Sequence, residues 1–421
     1  MNTLPPLRND IDLMPFRSGD RDLILVRDPL GIAPENAALA AEVVPFLPLF
    51  DGASTVGDLQ IALMRQRGGA IVYRSDAERI VGELSRAGIL QTEEYREAKR
   101  RIVADFVSRR ERPAALAGSA YPADPRELTG MLDRILSLDA PGPSSLPGPL
   151  RGLACPHIDL RVAERTYAAA FRSIRGVPPP SAVLLLGTGH ALGETRYCVS
   201  GKSFTTPLGG VPADWEGAER LRRSGGDAAS PDDFPHRSEH SIEFPLLFLQ
   251  RVHPMERIPI LPVLCGPMED LFGRVRSPLE VEGIASFVDA ASAWLSAPPG
   301  NRIVVAGVDF SHVGPKFGDS RPASAFELSV RAYDREMLDA LAAGDADAFF
   351  RIGARERNRF RICGFSALWT LLAVSPGIRG TVLEYGLWHE EPTRSAVSFA
   401  AVAFAAAPVG GSGPSGTDPS L

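Results

Sequence analysis

Three apolar runs along the chain each end at a histidine. Ala182–His190 reads A-V-L-L-L-G-T-G-H, and its five consecutive apolar residues predict a strand that is buried on both faces. Leu150–His157 and Asn301–His312 have the same form. Ligands bind at the carboxyl ends of strands in open α/β sheets. The three histidines therefore converge if the strands are neighbours, although each one alone would be more typical of a structural or surface residue.

Predicted strands and helices alternate between residues 114 and 407. A strand at Leu150–Cys155, a helix at Ala163–Ile174 and a strand at Ala182–Leu186 make one βαβ unit, which is right-handed by default. The alternation continues to the end of this region and is typical of the α/β class. We expect a C-terminal three-layer α/β/α domain with a mainly parallel or mixed sheet.

Residues 1–95 predict a second, smaller domain of the winged-helix-like α+β type. A short strand precedes three predicted helices, at Asn36–Val44, Val56–Arg67 and Ser75–Ala87. No basic recognition helix is present, which favours peptide or protein docking over DNA binding. A charged helix, 96–113, is predicted to link the two domains. The Gly-, Pro- and Ser-rich residues 408–421 are predicted to form a disordered tail.

The composition argues against several classes of protein. The net charge is −6, so no basic footprint indicates nucleic acid. No apolar run approaches the roughly 20 residues needed to span a bilayer, and the first residues lack the apolar core of a secretory signal. Four cysteines in 421 residues do not make a disulfide framework. We therefore expect a cytoplasmic protein that acts on neither nucleic acid nor membrane.

Two imidazoles and one thiol are candidate metal ligands. His157 and His190 follow predicted strands, and Cys363 lies just before an apolar helix, where the helix dipole favours a thiolate. Three protein ligands leave a coordination position open, as in catalytic metal sites. The alternative for Cys363 is a buried structural thiol, which is the commoner role for a free cysteine. No short metal-binding motif supports the metal site by spacing alone.

Four further residues are candidates for acid–base work. Glu239 and His240 belong to S-E-H-S-I-E, which we expect to open a helix with Glu239 and Glu243 on one face. Asp309 and His312 close the third strand. Near a metal such groups orient ligands or carry protons. The alternative for the acidic pair is a solvated helix N-terminus, where negative charge is favoured in any case.

The region from about Ala117 to Ala405 resembles the Memo family, the system protein B of the bacterial AmmeMemoRadiSam set. The motifs that carry the resemblance occur in the family's order and read A-G-S-A-Y, C-P-H-I-D, L-L-G-T-G-H, S-E-H-S-I-E, I-P-I-L-P-V-L-C-G, V-D-F-S-H-V-G and R-I-C-G. This family looks like the class III extradiol (LigB-like) dioxygenases in fold. Those enzymes hold iron(II) with two histidines and a carboxylate.

Carried over by motif, the resemblance implies that the metal ligands are His157, His190 and Cys363. It also places Asp309 and His312 in an acid–base motif and Glu239 with His240 in the E-H-S-I-E motif. Two departures alter the expected pocket wall. C-P-H-I-D-L stands where the family often has A-P-H-A-G-Y, and G-T-G-H-A stands where it commonly has P-S-H-H. The substrate of a relative therefore does not transfer to this chain.

The N-terminal segment resembles PqqD-like domains. The resemblance rests on F-D-G-A-S-T-V-G-D-L and I-V-G-E-L-S-R-A-G-I-L. Such domains hold a peptide or a partner for a radical-SAM enzyme, so a radical-SAM enzyme and the set's system protein A are the implied partners. A small helical packing domain without a partner is the equally weighted alternative.

Three functions follow from these observations. The first is a metal-dependent oxidoreductase with one metal ion. A soft thiolate ligand favours copper or zinc while iron remains possible, and we expect iron or copper ahead of zinc. The second is a non-catalytic module that holds a peptide or protein in the same cleft. The third is a hydrolase with a zinc-bound water. Ring cleavage is not implied, because fold does not determine function.

Overall fold

The computed structural model describes residues 3–140, 146, 148–298 and 300–406. The tail predicted at 408–421 lies outside these residues. The chain divides into two compact units, with the division between Ser108 and Arg109. Among the described helices, none combines the length and the apolar character that crossing a bilayer requires.

The first unit contains a three-stranded antiparallel sheet in the order β1-β2-β3. Its elements in chain order are β1 (Asp12–Ser18), β2 (Arg21–Arg27), β3 (Ala38–Ala40), a 3-10 helix (Ala41–Leu49), α1 (Val56–Gln66), α2 (Arg74–Arg86) and α3 (Glu93–Ser108). Thr55 caps α1 through a reciprocal pair of hydrogen bonds with Asp58. In the core of this first unit, leucines of α1 and α2 pack against Phe46 and Phe50.

The helix predicted at Asn36–Val44 is wrong. Ala38–Ala40 instead pairs with Leu23–Leu25 of β2, and the chain continues as a 3-10 helix that contains Pro45 and Pro48. The helix propensity of alanine is weak against a strand pairing that buries Leu39. The charged helix begins at Glu93 and ends at Ser108, so it starts earlier and ends sooner than the predicted 96–113.

The second unit is built on an eight-stranded mixed sheet in the order β12-β14-β5-β11-β6-β10-β7, with β13 also paired to β14. The strands of this unit are β4 (Glu111–Arg112), β5 (Leu150–Cys155), β6 (Val183–Thr188), β7 (Tyr197–Val199), β8 (Ser203–Thr206), β9 (Gly209–Val211), β10 (Ile260–Cys265), β11 (Ile303–Gly307), β12 (His312–Val313), β13 (Ile378–Glu390) and β14 (Ser395–Ala406). Strands β4, β8 and β9 form a separate small sheet.

Helices cover both faces of the large sheet. They are α4 (Pro125–Ser137), α5 (Glu164–Arg172), α6 (Trp215–Gly225), α7 (Glu243–Val252), α8 (Glu282–Ser296), α9 (Glu327–Ala342), α10 (Ala346–Glu356) and α11 (Phe365–Val374). Alternate residues of β6 enter two different cores: Val183 packs with residues of α4, α5 and α7, and Leu184 packs with residues of α8 and α11. The predicted α/β class with a mixed sheet is confirmed, and the continuous apolar run of β6 reflects burial on both faces.

Strands β5, β11 and β6 are parallel neighbours, so their carboxyl ends meet at one edge of the sheet. Cys155 of β5 pairs with Gly307 of β11, which pairs with Gly187 of β6. Gly307 leaves no room for a side chain, since an added Cβ would lie 1.9 Å from the carbonyl oxygen of Ser241. The close approach brings the S-E-H-S-I-E segment over this edge.

Candidate metal site

His157, Asp309 and His190 leave the sheet at matching positions. Each comes two residues after the last residue of its strand, which is β5, β11 and β6 respectively. Because the three strands are adjacent and parallel, the three side chains reach the same edge. The predicted convergence is therefore present for His157 and His190, which Asp309 joins, whereas the third predicted histidine, His312, lies in β12 and outside both groups with metal-ligand spacing.

Cys363 reaches the same place from the loop that precedes α11. Its Sγ lies 3.4 Å from Nε2 of His157, and one ligand atom from each of His157, His190 and Cys363 lies within 4.8 Å of the others. Bonds of 2.0–2.3 Å to a tetrahedral ion would place a nitrogen and a sulfur ligand about 3.5 Å apart. The observed separation and the donor set both fit a metal ion.

The two imidazoles are oriented by hydrogen bonds at Nδ1. His157 Nδ1 lies 2.9 Å from the carbonyl oxygen of Gly307, to which it donates, and His190 Nδ1 lies 3.0 Å from a carboxylate oxygen of Glu239. Each bond engages Nδ1 and leaves Nε2 as the ring nitrogen that can face a metal ion. Metal-binding histidines are typically held in this way.

Glu239 is a buried carboxylate whose oxygens are occupied by donors. It accepts hydrogen bonds from His190 and from the backbone N–H groups of His240 and Ser241, the latter two at 2.8 and 2.9 Å. Burial opposes its ionisation, but the hydrogen bond and charge of His190 hold the pKa of Glu239 well below its usual range. Glu239 is therefore an anion that orients His190.

His240 packs against both histidine ligands. Its ring centroid lies 4.9 Å from that of His157 and 5.0 Å from that of His190, and it stacks on the latter at 12°. Burial, together with the charge of His157, lowers the pKa of His240 to about 3. A neutral imidazole therefore lines the site, and His190, Glu239 and His240 make a second group with metal-ligand spacing.

Asp309 lies beneath the imidazole of His157. Its Oδ1 accepts the N–H groups of His157 and Ile158 at 3.1 and 3.3 Å, and its Oδ2 lies 3.5 Å from Nε2 of His157. Burial raises the pKa of Asp309 to about 6. This carboxyl group can therefore exchange a proton close to neutral pH.

His312 is held at the edge of the same site by backbone carbonyls. Its Nδ1 lies 2.9 Å from the oxygen of Phe310 and 3.1 Å from that of Arg361, which leaves Nε2 available. Burial lowers its pKa, and its charged form would interact with Asp309 and His190. His312 belongs to neither group with metal-ligand spacing.

The thiol and the imidazoles favour a charged pair in the metal-free state. Burial opposes ionisation of Cys363, but the charge of His157 and hydrogen bonds with His157 and His190 lower the pKa of Cys363 to about 7. Partial desolvation opposes charge on His190, but bonds with Cys363 and Glu239 raise its pKa to about 10. His190 is also the most exposed of the three, so solvent reaches the site there.

The structure corrects the expectation that Glu239 and Glu243 share a helix face. Helix α7 begins at Glu243, so Glu239 lies in the segment before it. Glu243 points away from the site and accepts from the guanidinium of Arg112, the hydroxyl of Tyr121 and two backbone N–H groups. Arg112 also donates to the carbonyl of Glu239 at 2.8 Å, and thereby fixes the segment.

Asn358 is a positioning residue that the sequence did not reveal. Its Oδ1 accepts from the N–H of Ile362 at 2.9 Å, and its Nδ2 donates to the carbonyl of Ile362 at 3.1 Å and to Glu269 at 2.8 Å. Asn358 and Arg361 both have positive φ, 46° and 56°. The side-chain amide of Asn358 therefore helps to hold the turn that delivers Cys363, and an asparagine near R-I-C-G was the available signal.

The remaining histidines lie elsewhere. His236 is buried, and its ring bonds the carbonyl of Cys198 at 3.0 Å. His253 lines an apolar pocket, and His389 lies 3.4 Å from Glu327. Tyr385, on β13, bonds the buried carboxylate of Asp334.

The family model described as Memo-like protein matches residues 112–403. The chain belongs to the Memo-like protein family. The match begins within β4, close to the start of the second unit, and spans every residue of the candidate metal site.

Several Memo relatives are similar over most of their length. A MEMO1 family protein of Aquifex aeolicus is 29% identical over 93% of this chain and 98% of its own. One of Thermus thermophilus is 31% identical over 79% of this chain and 94% of its own. One of Methanopyrus kandleri is 30% identical over 65% of this chain and 91% of its own. The Aquifex alignment is long enough to include residues of the first unit, so that unit has a counterpart there.

Proposed function

We propose that this chain is a metal-dependent oxidoreductase that holds one iron or copper ion at His157, His190 and Cys363. The observation that supports this is the convergence of three ligand atoms within 4.8 Å of one another, from two strand ends and a helix start. Three protein ligands leave room for water, dioxygen or substrate. The exposed side of His190 gives such a molecule a route in.

The donor set supports the choice of metal. A soft thiolate beside two imidazoles suits copper, and imidazole also suits iron. When bound, the ion would supply one-electron chemistry and a position where a small molecule is activated. Cys363 is suited to this role because its lowered pKa of about 7 makes the thiolate available at neutral pH.

The chain's own acid–base groups surround this position. Glu239 fixes the orientation of His190, and the hydrogen bond from Nδ1 keeps that ring's Nε2 directed at Cys363. Asp309, with its pKa near 6, accepts or returns a proton beside His157. The free Nε2 of His312 is the second group that we assign to proton transfer, and neutral His240 forms the wall of the pocket.

We further propose that the chain acts in the cytoplasm in a pathway with a radical-SAM enzyme and the system protein A of the AmmeMemoRadiSam set. Support comes from Memo membership and from the separate first unit, whose segments resemble PqqD-like domains. Co-purification of the full chain with each partner encoded nearby is the test. We expect the partners no longer to co-purify with the chain when surface residues of its first unit are changed.

Elemental analysis of the full chain tests the metal assignment. We expect close to one metal ion per chain after purification, with most of it lost in His190→Ala and Cys363→Ser. His389→Ala is the matched control, since His389 lies outside the site and its one ion-pair partner among the described residues is Glu327. An unchanged metal content in His190→Ala would contradict the assignment.

Metal identity and oxygen uptake separate the competing functions. Iron or copper together with substrate-dependent oxygen consumption supports the oxidoreductase. Zinc with no oxygen consumption but with hydrolysis supports the hydrolase. Peptide binding that persists in metal-free protein, with neither reaction, supports the binding module and overturns the oxidoreductase.

A further inference from the structure

A pocket of about 370 Å³ lies at the amino ends of β5 and β11, at the sheet edge opposite the metal site. Two arginines, Arg151 and Arg302, line it together with Ser292, Ser296 and Ser375. None of its described lining residues is acidic. The volume is at the small end of the range for metabolite sites.

Arg302 has a donor that the described residues leave unsatisfied. One terminal nitrogen donates to the carbonyl of Trp294 at 2.7 Å, and the guanidinium lies 4.4 Å from the centre of the Trp294 ring. Its Nε is buried and has no hydrogen-bond partner among the described residues. A buried donor without an acceptor is costly, and the residue that carries it lines the pocket.

Arg151 reaches the pocket because β5 is irregular at this residue. Gly152 pairs with Phe404 of β14, whereas Leu150 pairs with the next residue, Ala405, so Arg151 is the extra residue of a bulge. Bulges redirect a side chain. One guanidinium nitrogen donates to Gly300 at 3.3 Å, and no ion pair of Arg151 or Arg302 occurs among the described residues.

We propose that this pocket binds the phosphate group of a small phosphorylated molecule between Arg151 and Arg302. Guanidinium forks match the oxygens of a phosphate, and both arginines keep open donors. The serine hydroxyls supply further donors at the pocket wall. The chain as a whole has a net charge of −6, but these two guanidinium groups have no acidic partner among the described residues. Their positive charge therefore favours the binding of an anion. The site is independent of the metal assignment.

Calorimetric titration of the full chain with inorganic phosphate and with methyl phosphate, at constant ionic strength, tests the proposal. We expect saturable binding of one equivalent, weakened at least tenfold in Arg151→Gln and in Arg302→Gln and undetectable in the double variant. Arg257→Gln is the matched control, because Arg257 is exposed and lies outside the pocket lining. Metal content should be unchanged in every variant.

The outcomes separate clearly. Preference for methyl phosphate over inorganic phosphate identifies an ester as the ligand, and equal binding identifies free phosphate. Chloride at the same ionic strength should not compete. Binding that is absent in the unaltered chain, or equally strong in the double variant, overturns the proposal. If a glutamine variant fails to fold, Arg302→Lys retains the charge without Nε–H, and it should bind more weakly than the unaltered chain.

Discussion

The Nε2 atom of His157 and the Sγ atom of Cys363 lie 3.4 Å apart, although 206 residues separate them along the chain. The contact exists because β5 ends at the sheet edge to which α11 presents its N-terminal turn. Desolvation would normally keep this thiol neutral, yet neighbouring imidazoles lower its pKa to about 7. The fold thus holds three donor groups together despite the desolvation cost of burying them, as is expected of a site that a ligand completes.

We expect Cys363 to be the first cysteine alkylated in metal-free protein. Burial raises the pKa of Cys155 and Cys198 and raises that of Cys265 to about 12, whereas that of Cys363 is about 7. The rate of iodoacetamide labelling should rise with pH through about 7 and then level, as the thiol becomes thiolate. Peptide mass spectrometry after timed labelling measures it.

Added metal should protect Cys363 in the same experiment, because a coordinated thiolate is a poor nucleophile. Cys363→Ser provides the control, with labelling lost at neutral pH. Faster labelling of Cys155 than of Cys363 would show that the imidazoles do not activate the thiol.

Replacement Glu239→Gln should weaken metal binding by about 10–100-fold, the usual effect of removing an orienting carboxylate. The amide side chain of glutamine fills the same space but carries no negative charge. That charge holds His190 and strengthens the hydrogen bonds that the carboxylate accepts from two backbone N–H groups. Competition with a chelator measures the affinity. Glu216→Gln, on the exposed first turn of α6, should leave it unchanged. Equal metal affinities of the two variants would show that Glu239 does not help to position the metal ligands.

The sequence was sufficient for the parts of the site that are carried by regular strands. Buried parallel strands appear as continuous apolar runs, so the ends of β5, β6 and β11 and the residues after them could be predicted. Its place before an apolar helix made Cys363 a candidate ligand, but no spacing connects it with the histidines. The resemblance to Memo was therefore needed to favour a ligand over a buried structural thiol.

Features that depend on tertiary contacts were not predictable. Asn36–Val44 has alanine-rich helical character, but pairing with β2 determines its conformation. Glu243 was expected on the same helix face as Glu239, yet the helix begins only at Glu243. The carboxylate of Glu243 instead forms an ion pair with Arg112. Asn358 has a positive φ, and its side chain also donates to Glu269, 89 positions away, a contact that no local pattern indicates.

Acid should loosen the first unit at pH values below about 4. The guanidinium of Arg8, which is 2% exposed, binds both oxygens of Asp28 at 2.7 and 2.9 Å. Burial opposes ionisation of Asp28, but Arg8 and backbone N–H groups lower its pKa below the ordinary 3.8. Stability from this pair is therefore complete above the ordinary pKa and is lost as the pH falls through the lowered value.

Hydrogen exchange of peptides from residues 3–108, measured in the full chain between pH 7 and pH 3, tests this. Exchange must be corrected for its intrinsic pH dependence. Asp28→Asn should already be less protected at pH 7 and should lose less on acidification. Asp20→Asn, in the exposed turn between β1 and β2, should follow the unaltered chain. Identical acid profiles for Asp28→Asn and the unaltered chain would exclude the pair as the cause.

The turn held by Asn358 should matter for the metal rather than for the fold alone. Asn358→Ala removes both bonds to Ile362 and the bond to Glu269, and places alanine at a φ of 46° that it adopts poorly. We expect a stability loss of about 1–3 kcal/mol from the unpaired groups. We also expect a weaker thiolate-to-metal absorption band, because Cys363 is no longer fixed.

Asn358→Gly separates the two causes, since glycine tolerates the backbone conformation but makes none of the side-chain bonds. If the side chain positions Cys363, the glycine variant should show the same weakened absorption band and metal affinity as Asn358→Ala. Asn301→Ala removes comparable bonds to Pro179 and Ser181 at the opposite sheet edge, so it should lose stability without changing the band. An unaltered band in both Asn358 variants would mean that Cys363 is positioned by α11 alone.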